Sequence, residues 1–490
     1  FGEWLPDQPD HLNPGATVAT NVYHAQSSYK PVKGLVAYSG TSTVTQNAKG
    51  AGSFRDNTNT VFTFVGTKNN IYKLTSGTFA SVKGSLTISG GDTDYFTFTQ
   101  FGQFVVASNG VNPPMYYLMG TSTNFATLQS LASASGSGTV PAKFKVSGVI
   151  RDFLVTGNIE NAKNRVAWSG INDISTWEAG VSSSDTQDLP GSGGQVVAIT
   201  SGEVGYVFRE DQIIRMDFVG GNVVFRFSVI SPNRGAVYGQ TVCQDNRQVF
   251  FYSSDGFFQI NGDQVLPIGA EKVNRFFDGD LNKAYTDRIT AAVDPFNTLA
   301  IWLYPSKDNP NTTGVCDKLL IYNYITQKWS VAKVKASQIF KQFVVANTVE
   351  LMDIISENLD DINISLDTAF WTTGHLYLGA IDENFKAAIF SGKTLEAELE
   401  TKEQEIFPGL RANVTGIRPI VDAIANVTIK TRDRLVDNVV TSSSSTMNDT
   451  GINPVRQSGR YFRANVKIPA ESIWTNAQGI DLTASQGGSR

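Results

Sequence analysis

Little in this chain supports catalysis by the common routes. Its 490 residues hold three histidines, His11, His24 and His375, and two cysteines, Cys243 and Cys316. None of the histidines falls in a motif that would make it a general base. No G-x-S-x-G elbow, Walker A loop, H-E-x-x-H or C-x-x-C pair occurs. Two cysteines are too few for a disulfide framework and read as buried free thiols. Charged residues make up only 17% and the net charge is -5, which argues against a protein that grips nucleic-acid phosphates. No run approaches the ~18 consecutive apolar residues of a membrane span, and the acidic start lacks the basic region of a signal peptide. The expectation is therefore a non-enzymatic protein with no cofactor and no metal.

What is abundant points to β-structure. The chain has 44 glycines, 30 phenylalanines and 11% aromatics, the composition of an all-β protein with many tight turns. Its length exceeds the roughly 250–300 residues at which one core stops growing. A unit recurs: an apolar strand, a turn rich in Gly or Asn, then a second apolar-aromatic strand. "VFTFVGTKNNIYKL" (61–74) is the cleanest copy, with Asn69-Asn70 read as its turn. Further copies start at 101, 152, 205, 248 and 299, so the spacing runs from 40 to 53 residues. That is the period of propeller blades. With a further candidate at 375–392, the count is six or seven blades.

The expected organisation has three parts. Residues 1–50 form an extended arm and first strands. Residues 51–392 form the β-propeller, with an irregular insertion near 337–370. Residues 393–490 form a β-sandwich-like module. Within the insertion, Asp360, Asp361 and Asp367 lack the spacing of a calcium loop and read as solvated. "DLPGSGGQ" (188–195) reads as a turn between blades, since it lacks the Lys-Ser/Thr of a phosphate loop.

Two segments are candidates for function. The opening "FGEWLPDQPDHLNPG" carries Trp4 among Pro6, Pro9 and Pro14, which forbid a regular helix. It reads as an assembly arm: proline-stiffened, with an aromatic anchor for a neighbouring subunit. "LEAELETKEQEI" (395–406) reads as a helix or a strand, and the flanking turn residues favour a strand. Glu396, Glu398 and Glu400 then share one face, either a solvated edge or an acidic face turned to a channel. A hydrolytic reading would need two facing carboxylates, with Asp152, Asp211, Asp255 and Asp294 as candidates. A sugar platform would use Trp168, Trp177, Trp302 and Trp329.

Several segments carry a family likeness. "GEWLPDQPDHLNPG…TNVYHAQSSYKPVKGL" (2–35), "NRVAWSGINDISTW" (164–177), "GYVFREDQIIRMDFVGG" (205–221) and "SSDGFFQINGDQVLPIGAEKVNRFF" (253–277) belong to it. So do "AAVDPFNTLAIWLYP" (291–305), "LLIYNYITQKWS" (319–330) and "SGRYFRANVKIPAESIWTNAQGIDLTASQGGSR" (458–490). In this order they resemble the nozzle, or packaged-DNA-stabilising, proteins at the distal tail of short-tailed phages. The resemblance implies a virion structural protein in a homo-hexameric ring. It would dock below the adaptor ring under the portal, with tail fibres or a needle nearby. Double-stranded DNA would be held before infection and conducted afterwards, without sequence-specific binding. The alternative is a carbohydrate-binding or carbohydrate-cleaving propeller on the tail.

Overall fold

Among the described residues, five separate four-stranded antiparallel sheets and two further four-stranded blades within one larger sheet follow one another. The structure, a computed structural model, describes residues 1–11, 13–221, 223–245, 248–309, 314–343 and 376–488. Blade one comprises Gly50–Arg55, Val61–Gly66, Ile71–Thr75 and Thr78–Ser81, each strand paired with the next. Blades two to five repeat this order, beginning at Thr97–Phe101, Phe144–Ile150, Val196–Ile199 and Cys243–Asp245. Blade six runs Thr290–Asp294, Leu299–Tyr304, Cys316–Asn323 and the first half of the long strand Lys328–Phe343.

The second half of that long strand opens blade seven. It pairs with Leu376–Asp382, which pairs with Ala387–Ile389. The fourth strand is Val36–Ala37, brought from the start of the chain. Blade seven thus joins both ends of the propeller, closing a ring that sequential hairpins would leave open. Of the two expected blade counts, seven is the one found. Residues 337–343, read from sequence as the head of an insertion, are the inner strand of this blade. The remainder of that stretch, with Asp360, Asp361 and Asp367, lies outside the described residues, as does His375.

Turns between strands follow local chemistry. In blade two, "FGQF" turns at Gly102-Gln103, and Gly102 has a φ of 57°, which disfavours any residue with a Cβ. In blade one the turn sits one residue earlier than read from sequence, because Thr67 N–H donates to the Asn70 carbonyl at 2.8 Å. The 188–195 segment does connect blades three and four. Buried Arg209 holds it by donating to the carbonyls of Pro190, Gly191 and Gly194.

After blade seven the chain builds two further sheets, and the first 31 residues complete both. One contains Val18–Thr20, Ala397–Glu400, Tyr461–Ile468 and Asn426–Arg432. The other contains Val22–Ala25, Ser28–Pro31, Ala477–Gln486, Ala412–Val421 and Asn453–Gly459. Strand alternation is clear: Val427 and Ile429 point inward from one sheet, Ala412 and Val414 from the other, into a shared core. The same core takes in Phe257 from blade five, Trp302 and Trp329 from blade six, and Phe277 from the helix Asn274–Asp280 between them. Trp302 and Trp329 are fully buried and stack at 5.7 Å. Thr20 also pairs in parallel with Val331, so blade six continues directly into the module.

Candidate functional site

The opening segment forms no helix, as its prolines require, but it is not extended: it turns at Pro6-Asp7, where Gln8 N–H donates to Leu5 O at 3.2 Å, and it lies on its own chain. Trp4 is only 2% exposed; its Nε1 donates to the Thr17 carbonyl at 3.2 Å and its ring meets Phe276 edge-on at 4.9 Å. Leu5 N–H donates to Ala16 O at 3.1 Å. Gly15 lies so close to this strand that a Cβ there would overlap the Glu3 carbonyl. The Asp7 carboxylate accepts from the N–H groups of Arg275 and Phe276 at 2.9 and 2.7 Å, satisfying donors in the first turn of the helix Asn274–Asp280. Lys272 pairs with Glu3 at 2.7 Å and Arg463 with Asp10 at 2.8 Å. Trp4 is therefore not an anchor offered to a neighbour: burying its ring against Phe276 satisfies it internally. Pro6 is half-buried, while Pro9 and Pro14 are exposed on the docked segment.

Glu398 and Glu400 lie on the strand Ala397–Glu400, as read, while Glu396 immediately precedes it, and the triplet is not a bare acidic face. Glu396 is exposed and Glu398 half-buried, whereas Glu400 is 1% exposed. Glu400 takes Lys430 Nζ at 2.5 Å, Asn465 Nδ2 at 3.0 Å and Arg463 Nη1 at 3.5 Å. Glu398 takes Asn465 Nδ2 at 2.8 Å, with Lys467 Nζ at 3.8 Å. Nearby Glu403, also buried, accepts Arg432 Nε at 2.8 Å. The carboxylates compensate cations on adjacent strands, because an unpaired charge at that depth costs several kcal/mol. The channel-facing reading fails for Glu400 and is left only to Glu396.

The other candidates have structural settings. Asp294 accepts from Phe296 N and Asn297 Nδ2 at 3.0 and 2.7 Å, an Asx-type turn, and burial raises its pKa. Asp255 is held by Arg234 at 2.6 Å, Asp152 lies 4.0 Å from Arg151, and Asp211 is exposed in a turn. The indoles of Trp168, Trp177, Trp302 and Trp329 are buried, and each N–H donates to a backbone carbonyl. They are packing residues rather than a sugar platform. His11 packs edge-on against Tyr461. His24, 2% exposed, has Lys328 Nζ 3.0 Å from its Nε2, and burial beside that cation pushes its pKa down to about 4. Burial also pushes the thiol of Cys243 up to about 12 and raises that of Cys316.

One concave feature was not legible as a site in the sequence. The inner strands of all seven blades surround an axial cavity of about 550 Å³. It is lined by backbone and by apolar and uncharged polar side chains, with Lys341 the one charged side chain among the described lining residues. The four candidate aspartates do not line it. Lys341 was hidden because its stretch was read as an insertion. The alternation in "SQIFKQF" (337–343) was the available signal of a strand.

No protein-family model and no curated protein matches this chain. Among solved structures, it is similar to a chain of the mitotic checkpoint complex at 10% identity and a TM-score of 0.40, covering 75% of this chain and 96% of that one. The WD40 domain of Neurospora crassa Pan2 aligns at 8% identity and 0.38, with the same coverage. The extracellular domain of the putative one-component system BT4673 from B. thetaiotaomicron aligns at 9% and 0.39, covering 90% of this chain but 48% of that one. None reaches a TM-score of 0.5, so the seven-bladed propeller rests on the chain's own sheet order.

Proposed function

We propose that this chain is a structural virion protein, the distal tail nozzle of a short-tailed phage. It closes the DNA channel before infection and conducts the genome during ejection. In this reading six copies form a ring docked below the adaptor under the portal, with fibres or a needle attached nearby. The observation that carries it is the meeting of the two terminal segments in which the family likeness is dense. Residues 2–35 and 458–490 lie at opposite ends of the sequence, yet Ser28–Pro31 pairs with Ala477–Gln486 within one sheet. These two terminal segments thus belong to one module, which is joined to blades five and six.

The geometry constrains how such a nozzle would work. An inner strand of five residues spans about 17 Å, so the 550 Å³ cavity amounts to a bore on the order of 6–9 Å. A DNA major groove alone is about 12 Å wide, so a duplex does not fit the propeller axis. The DNA path would lie between copies around the ring axis. A net negative charge suits a wall along which DNA slides without being held. The mechanism needs no catalytic residue, and the chain is proposed not to be an enzyme.

The test is immunogold electron microscopy of virions with an antibody to this chain. Label confined to the distal tail is expected. Label on projecting fibres, or no label on particles, would overturn the reading.

A further inference from the structure

The axial cavity has the build of a ligand site. Its volume of about 550 Å³ falls within the range of small-molecule pockets, roughly 300–1,000 Å³. Phe54, Phe96, Phe98 and Phe340 give it an aromatic wall. Against that wall stands a single charge. Lys341 Nζ donates to the Gln244 carbonyl at 2.5 Å, which uses one of its three N–H donors. It makes no ion pair among the described residues. Asp245, the acid that most favours its charged form, already accepts the Tyr324 hydroxyl at 2.7 Å. On the same strand, Gln338 is 6% exposed and its side-chain amide has no hydrogen bond among the described residues. A desolvated ammonium and an unengaged amide facing an aromatic-walled space form a receptor for a compact, flat anion.

We propose that the axial cavity binds a small aromatic anion, a carboxylate or sulfonate, with Lys341 as its counter-charge and the phenylalanines as its walls. This does not depend on the tail reading: it would hold for the propeller in any setting.

The probe is 1-anilinonaphthalene-8-sulfonate, titrated by fluorescence into the full chain. Saturable binding at one site per chain is expected. Lys341→Met should weaken it by at least about tenfold, the scale of one charge-assisted hydrogen bond. Lys341→Arg should retain it within about threefold, since the charge is kept. Thr97→Trp, at a half-buried position of the cavity wall, should abolish binding by filling the space while leaving the charge in place. The uncharged analogue N-phenyl-1-naphthylamine should bind wild type and Lys341→Met alike. Thermal melting confirms that each variant is folded. Unchanged affinity in Lys341→Met, binding that survives Thr97→Trp, or no saturable binding to wild type would overturn the proposal.

Discussion

Blade one and the terminal module use the same kind of strand but draw their partners from different distances. In blade one, all four strands lie within Gly50–Ser81 and each pairs with its neighbour in sequence. In the module, Val18 faces Glu400 and Tyr29 faces Ala477. Local pairing is specified by hairpin turns, and it forms at small cost in chain entropy. Distant pairing must be stabilised by packing and by charge complementarity, which is where Trp4, Glu400, Glu403 and Arg463 act. The module is therefore the part of the molecule most exposed to single changes at either terminus.

Deleting residues 1–31 should have the largest effect. It removes strands from both module sheets and exposes a core that reaches Trp302 and Trp329. The loss should exceed the ~5–15 kcal/mol by which a domain is stable, so the shortened chain should be insoluble or lack a cooperative melt. A melt like that of the full chain would show that the module does not depend on its N-terminal strands.

Next is the buried ion pair. Arg432→Met leaves the Glu403 carboxylate, 2% exposed, without its closest partner and should cost about 3 kcal/mol in denaturant unfolding. Adding Glu403→Leu should recover most of that loss. If the double variant were as unstable as the single, the charge account would be wrong.

Acid should act on the module through His24. Its folded pKa of about 4 lies below the ordinary 6.5, so protonation favours the unfolded chain. Its contribution is intact above pH 6.5 and is lost as pH falls from 6.5 towards 4, by roughly 2–3 kcal/mol. Replacing it by His24→Gln should flatten that part of the stability–pH curve, as followed by melting at successive pH values.

Local changes should stay local. Gly102→Ala, at a φ of 57°, should cost about 1 kcal/mol. Hydrogen exchange should show the loss confined to blade two. The smallest effect is expected at exposed Glu396, where Glu396→Gln should shift stability by less than about 0.5 kcal/mol.

The same contrast explains how much was legible in sequence. The blades were legible because each hairpin carries its own turn and alternation, as in 61–74. Blade seven was half hidden, because its inner strand continues the outer strand of blade six and its fourth strand comes from Val36–Ala37. The module's strands were readable from alternation, but not that the first 31 residues belong to it. Trp4 illustrates the limit: a proline-rich segment with one aromatic anchor reads the same whether its receptor is a neighbour or Phe276. For Glu400, period two gave its face correctly, while its counter-charges Lys430 and Arg463 lie 30 and 63 residues away in sequence.

The most direct test of the nozzle reading is a cryo-electron-microscopy reconstruction of the assembled protein on its particle. The account predicts a ring of six copies at the distal tail, the DNA path on the ring axis and no DNA within any propeller bore. A single copy per particle, or duplex density running through a propeller axis, would contradict it.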